Sequence, residues 1–262
     1  MTRIDLNSDL GEGAGADDEI MPWVTSANVA CGAHAGDATT MRRTVELALR
    51  HGVAIGAHPG YRDPASFGRV ALDLPRAALF ADLLAQIEAL EGIAGEAGGR
   101  VTHVKAHGAL YNRGERDPET AAVIADAVRT AGRDLVLFAS PGSAMETAAR
   151  AAGLRVAREG FADRAYEPDG TLRPRRLPDS LHTDPAVAAR QAVALAWGAG
   201  VRASDGSTLA LEVETICVHG DTPNAAAIVR AVREALTAAG ANVAAAAGPQ
   251  ARPPGDRAPS VE

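Results

Sequence analysis

Lysine and arginine total 26 in this chain, and all but Lys105 are arginine. A composition that uses arginine everywhere else singles out a position where a guanidinium does not serve. An ammonium is a compact point charge, whereas guanidinium is longer and planar. Lys105 stands in Val101-Thr102-His103-Val104-Lys105-Ala106-His107-Gly108. On a strand, His103, Lys105 and His107 alternate onto one face, and Thr102, Val104 and Ala106 onto the other. A lone cation flanked by imidazoles is the first pointer to an active site.

Other chemistry-bearing residues cluster in the same manner. Asp5, Asn7 and Asp9 alternate and share one face of a first apolar run, with Glu12 just beyond. Ile4 and Leu6 take the opposite face. Inward carboxylates must be paired with a cation or hold a metal, and Lys105 is the available cation. One carboxylate beside it then stays ionised as a base, while another, crowded by like charge, stays protonated. Further clusters contain Asn28, Cys31, His34 and Asp37, then His58-Pro59-Gly60, then His219-Gly220-Asp221. His34, His58, His107 and His219 each lie near a glycine or proline that lets backbone approach closely.

Several familiar motifs do not fit. His103 and His107 have zinc-like spacing for a helix, but on a strand they are roughly 13 Å apart. Gly11-Glu12-Gly13-Ala14-Gly15-Ala16 follows a strand, yet Asp17-Asp18-Glu19 would repel a pyrophosphate. The sole lysine has the wrong neighbours for a Walker loop. Cys31 and Cys217 read as small buried packing residues rather than nucleophiles. With only scattered rim residues as donors, no tightly bound metal is expected.

The elements that must position these groups alternate along the chain. Strands are expected at 3–8, 26–31, 53–57, 101–106, 134–138, 154–158 and 211–218. Helices are expected at 38–51, 75–97, 118–131, 143–152, 184–198 and 223–239. Asp37 can cap the first of these helices, and Asp184-Pro185 supplies an N-cap followed by proline at N1. Strand-then-helix repetition predicts a parallel sheet with helices outside it, and so many units fit a barrel better than an open sheet. The polar clusters all fall at C-terminal strand ends, which converge on one rim in parallel α/β folds. The polar stretch 160–183 reads as a lid or substrate loop. A single domain is expected over 1–246, with a disordered Pro/Gly/Arg-rich tail at 247–262.

Composition bounds the partners. The hydrophobic share of 47% is ample for a core, and the 3% aromatic share leaves alanine, valine and leucine to pack it. A net charge of −7 and a pI near 5.5 argue against nucleic acid or an anionic membrane as partner. Two cysteines are too few for a disulfide scaffold and suit a reducing compartment. No signal core opens the chain and no run approaches a membrane span, so a cytoplasmic protein is expected.

Taken in order, these segments resemble the LamB/YcsF family, the A subunits of prokaryotic 5-oxoprolinases, over most of residues 3–240. The resemblance lies in Asp5-Leu6-Asn7-Ser8-Asp9-Leu10-Gly11-Glu12, in Ser26 to Gly32 with His34-Ala35-Gly36-Asp37, and in Gly56-Ala57-His58-Pro59. It continues in Phe67-Gly68-Arg69, Lys105 with His107 to Asn112, Phe161-Ala162-Asp163-Arg164 and Val218-His219-Gly220-Asp221. The chain departs in having Ala33 and Ala106 where aromatic residues and proline are usual, and Asp179-Ser180 where a small Gly-Ala pair is usual. The resemblance implies an irregular (β/α) TIM-like barrel of about seven parallel strands, similar to the glycoside hydrolase/deacetylase superfamily. It also implies ATP-dependent opening of the 5-oxo-L-proline lactam to L-glutamate, with ATP and Mg2+ as cofactors and subunits B and C as partners. A homo-oligomer is compatible with it.

Residue type suggests roles within that reaction. Asp9 activates water, His58 and His107 donate or shuttle protons, and Lys105, Arg69 or Arg164 holds the substrate carboxylate. Asp5, Asn7, Glu12, His34, Asp37, His219 and Asp221 complete the expected binding set. Two other readings stay open: a metal-dependent deacetylase or amidase on a similar barrel, and a non-catalytic subunit that binds the lactam.

Overall fold

The computed structural model describes residues 2–13 and 16–248. The chain begins with β1 (Arg3–Leu10), a short helix α1 (Asp17–Ile20), β2 (Ser26–Ala30), α2 (Ala38–His51) and β3 (Ala54–His58). It continues through α3 (Arg76–Glu96), β4 (Val101–Lys105), α4 (Gly108–Arg116), α5 (Pro118–Ala131), β5 (Val136–Ala139), α6 (Ala144–Ala151) and β6 (Arg155–Phe161). The last part holds α7 (Pro185–Ala196), β7 (Val201–Arg202), β8 (Thr208–Leu209), β9 (Thr215–Cys217), α8 (Ala225–Ala238) and β10 (Asn242–Val243).

The first six strands pair in parallel in chain order, β9 follows β6, and β9 pairs back onto β1. The ring therefore closes as a seven-stranded parallel barrel with helices around it, as expected. β10 adds in parallel to the start of β1, and β7 and β8 form a separate antiparallel pair. The helices start and stop where their ends are satisfied. The Asp37 carboxylate accepts the Thr40 N–H at 2.7 Å at the start of α2. Gly52 closes that helix at φ 66°, a left-handed value that glycine takes without a Cβ clash. Asp117 and Asp184 cap α5 and α7, each followed by proline in the first turn.

The apolar core lies between barrel and helices. Ile4 and Leu6 of β1, Val29, Ile55, Val104 and Leu137 face outward and are buried with Leu83, Ile87, Val128 and Val232 of the helices. The barrel interior is different. TIM-like interiors are usually filled by branched aliphatic side chains. Here Asp5, Asn7, Asp9, Ser26, Asn28, His103, Lys105, Glu159 and Thr215 are all buried. Gly56 makes room for this filling: a Cβ there would lie 2.1 Å from His103 Nε2.

Some boundaries differ from the sequence expectation. β6 runs on to Phe161 rather than ending at 158, because pairing with β9 holds its C-terminal half. Of the expected strand 211–218 only Thr215–Cys217 forms. The short amphipathic α4, the β7–β8 pair and β10 were not expected. Ala246 and Ala247 pack against Val136, Phe138 and Ala157, so the folded unit extends past 246. Residues 249–262 of the expected tail lie outside the described residues. Among the described residues, no helix is long and apolar enough to cross a membrane.

Candidate active site

Lys105 is the hub of the upper barrel. Its Nζ lies 2.9 Å from Asp9 Oδ1, 3.0 Å from Glu159 Oε1 and 3.0 Å from Cys217 Sγ. The site thus sets one buried cation against two buried carboxylates. Burial opposes the Lys105 charge, but Asp9, Cys217 and Glu159 outweigh it and hold the ammonium well above its ordinary pKa. Burial likewise opposes the Asp9 charge, but His58 and Lys105 hold its carboxyl well below the usual range. Asp9 Oδ1 also accepts from Asn28 Nδ2 at 2.8 Å, which leaves Oδ2 to face His58 Nε2 at 3.4 Å and His219 Nε2 at 3.9 Å. Asp9 is therefore fixed through one oxygen and free to act through the other.

Beneath this layer, Asp5 accepts hydroxyl hydrogens from Thr25, Ser26 and Thr215 at 2.5, 2.8 and 2.6 Å. Its pKa is raised, as expected for the second carboxylate, but burial is the main cause rather than like charge. Asn7 donates to Glu159 and Thr215, and Asn28 donates to Asn7. Asp5 and Asn7 thus form the floor that holds Asp9, Lys105 and Glu159. His103 lies in the same floor, 2.9 Å from Asn28 Oδ1 and stacked on Phe138. Burial pushes its pKa down to about 3.

At the rim, three imidazoles surround Glu12. The His58 Nδ1–H donates to the Lys105 carbonyl at 2.8 Å, and the His107 Nε2–H donates to the Phe67 carbonyl at 2.8 Å. These carbonyls accept only, so they fix both tautomers. The remaining nitrogens, His58 Nε2 and His107 Nδ1, face each other at 3.0 Å. Glu12 Oε1 lies 3.2 Å from His107 Nδ1, 3.7 Å from His58 Nε2 and 3.2 Å from His34 Nε2. His34 stacks flat on His107 with ring centres 3.7 Å apart. Burial pushes the His34 pKa down to about 4, so it is neutral and its Nε2–H donates to Glu12. Burial disfavours charge on His58 too, but the adjacent Asp9 outweighs it and raises that pKa.

Across the mouth, His219 Nδ1 lies 3.1 Å from both oxygens of buried Asp163, which also accepts the Thr222 hydroxyl at 2.6 Å. Asp163 orients the ring and leaves Nε2 toward Asp9. The segment after β6 forms the facing wall. Arg164 is buried and donates to the Ser180 and Arg173 carbonyls. Arg175 and Arg69 both bind Asp221, tying the segment to the loop after β3 and to the loop after β9. Asp179 turns that segment at φ 60°.

These walls enclose a cavity of about 530 Å³, within the range of small-molecule sites. Asp9, Glu12, His58, Lys105, His107 and His219 line its floor, and Arg69, Arg116, Arg164, Arg175, Arg176 and Asp221 line its walls. The arrangement supplies a fixed base, paired imidazoles and several guanidiniums for an anion. Of the residues expected from sequence, Asp5, Asn7 and His34 support the lining from behind. Asp37 is exposed and serves as the cap of α2. Sequence reasoning missed Glu159, Asp163 and Arg175. Ala157-Arg158-Glu159-Gly160-Phe161 alternates as a strand, and extending that alternation would have pointed Glu159 inward. Cys217 is buried in the apolar core, as its sequence suggested, and its Sγ also touches the Lys105 ammonium.

The LamB/YcsF family profile matches residues 4–251. The chain is 50% identical over 248 residues to the A subunit of a 5-oxoprolinase from Symbiobacterium thermophilum, an alignment covering 93% of this chain and 95% of the relative. It is 48% identical over 248 residues to the A subunit of a 5-oxoprolinase from Bordetella pertussis, covering 93% and 98%. The crystal structure of a lactam utilization protein from Thermus thermophilus matches with a TM-score of 0.86 at 46% identity, covering 92% of this chain and 99% of that one.

Proposed function

The chain belongs to the LamB/YcsF family, and from that premise we propose that it is the A subunit of an ATP-dependent 5-oxoprolinase that opens 5-oxo-L-proline to L-glutamate. The reading rests on the convergence of Asp9, Glu12, His58, Lys105, His107 and His219 in one cavity walled by arginines. A five-membered lactam is a poor electrophile, so the carbonyl must be activated. Transfer of the terminal phosphoryl group of Mg2+-bound ATP to the lactam oxygen releases ADP and leaves an activated imidate carbon. Water adds to that carbon as Asp9 Oδ2 takes its proton. Cleavage of the ring C–N bond, with a proton passed to the nitrogen from an imidazole such as His219, leaves an open-chain acyl phosphate. A second water releases glutamate and phosphate.

Roles follow from position. Lys105 is already neutralised by two carboxylates, so it holds Asp9 ionised and in place. The substrate carboxylate and the phosphates fall to Arg69, Arg164, Arg175 and Arg176. The sequence carries no Walker loop, so subunits B and C complete the ATP site, in the cytoplasm where ATP is supplied. The test is glutamate formation from 5-oxo-L-proline and ATP by this chain with and without its partner subunits. ATP-dependent turnover in the assembled complex supports the proposal. Turnover by the isolated chain would overturn the need for partners, and an inactive, correctly assembled complex would overturn the reaction.

A further inference from the structure

We propose that Glu12, His58 and His107 bind a divalent transition-metal ion at the floor of the cavity. Three observations carry this site, and none depends on the identity of the substrate. The first is donor spacing. Glu12 Oε1, His58 Nε2 and His107 Nδ1 are separated by 3.0, 3.2 and 3.7 Å. Donors about 2.0–2.1 Å from a tetrahedral zinc ion stand about 3.3 Å from one another. The second is tautomer. Both rings spend their far N–H on a backbone carbonyl, at 2.8 Å in each case. With both rings neutral, as ligands to a metal must be, that leaves two lone-pair nitrogens aimed at each other and at a carboxylate. Metal-ligating histidines are held in this way by their outer partners.

The third is access. All three residues line the cavity, so the remaining coordination positions open toward it, as in catalytic rather than structural zinc sites. Two histidines and one carboxylate are a donor set for zinc and its neighbours rather than for magnesium or calcium. Such an ion would supply a Lewis acid for a carbonyl or phosphoryl oxygen. His34 is an outer partner, because its Nε2–H is needed to hold Glu12. The donors come from three separate strand ends, so no single stretch of sequence carries a metal-binding spacing.

The test is calorimetric titration of the full-length, chelator-stripped chain with Zn2+, together with the visible spectrum of the chain loaded with Co2+. The site predicts one saturable equivalent of Zn2+ and an intense Co2+ spectrum of a four- or five-coordinate ion. His58→Asn and His107→Gln should each weaken Zn2+ binding by more than about 100-fold, and His34→Gln by roughly 10–100-fold, the cost of losing an outer partner. No saturable equivalent, or a weak spectrum of a hexa-aqua-like Co2+ ion, would overturn the site on the wild-type chain alone. Unchanged affinity in folded His58→Asn and His107→Gln would place the ion elsewhere and overturn it equally. Since no substrate and no partner protein enters the measurement, its outcome is separate from that of the lactam reaction.

Discussion

Lys105 Nζ lies within about 3 Å of Asp9, Glu159 and Cys217 and has almost no exposed surface. A guanidinium at this position would have to displace Cys217 or Phe161, whose ring is 5.3 Å from Nζ. Lys105→Arg should therefore lower turnover of the assembled enzyme by at least about 100-fold, since the charge that fixes Asp9 moves. The overpacking should cost about 1–3 kcal/mol of stability, small enough for the variant to fold. Steady-state rates beside a denaturant titration check both. Most of the activity surviving would show that the single lysine is dispensable. At this scale much of the site was legible, because residue type and alternation mark Asp9, Lys105, His58 and His107 without any structure. Glu159 and Asp163 were missed, since a glutamate beyond the expected end of an arginine-bearing strand and an aspartate in a loop look like solvated charge. Only barrel closure reveals that they are buried.

The strands and helices were legible where periodicity is strong. The ranges of α2 and α5 agree to the residue with those expected, because each has an aspartate cap and an amphipathic repeat. The short elements were not, since β7, β8 and β10 are defined by their pairing rather than by any periodic run of their own. One interstrand fit matters for the site. Gly56 on β3 leaves the space that the His103 ring of β4 occupies, and that ring supports Asn28, which in turn holds Asp9. Gly56→Ala should force the ring out and destabilise the fold by about 3 kcal/mol, the upper end of ordinary overpacking. A shift in the urea midpoint measures this. A loss below about 1 kcal/mol would mean that the two strands adjust without moving His103.

As a whole the molecule has exchanged an aliphatic barrel interior for a hydrogen-bonded one, and this makes its stability depend on pH. His34 and His103 have folded pKa values near 4 and 3, below the ordinary 6.5. Between those values and 6.5 the unfolded chain binds protons that the folded chain does not, so stability falls as pH falls. Each histidine contributes a slope of up to about 1.4 kcal/mol per pH unit. Glu115, pushed by burial up to about 7, and Asp5, whose pKa burial raises, work in the opposite sense, gaining stability as pH drops toward the ordinary carboxylate range and offsetting part of that slope. Melting temperature should therefore drop from pH 6.5 to 5, and a flat profile would show that these rings can charge in the folded state. The barrel and its rim were legible from the run of polar strand ends. The depth of the polar interior was not, because alternation says which face a residue takes but not how many faces meet. The central claim is that this interior holds Asp9 as the base for lactam opening. Its most direct test is glutamate formation from 5-oxo-L-proline and ATP in the reconstituted complex, comparing the wild type with Asp9→Asn, which keeps the Oδ1 acceptor and the side-chain shape. The account predicts that turnover falls by at least about 100-fold while the complex still assembles; turnover close to wild type in an assembled Asp9→Asn complex would contradict it.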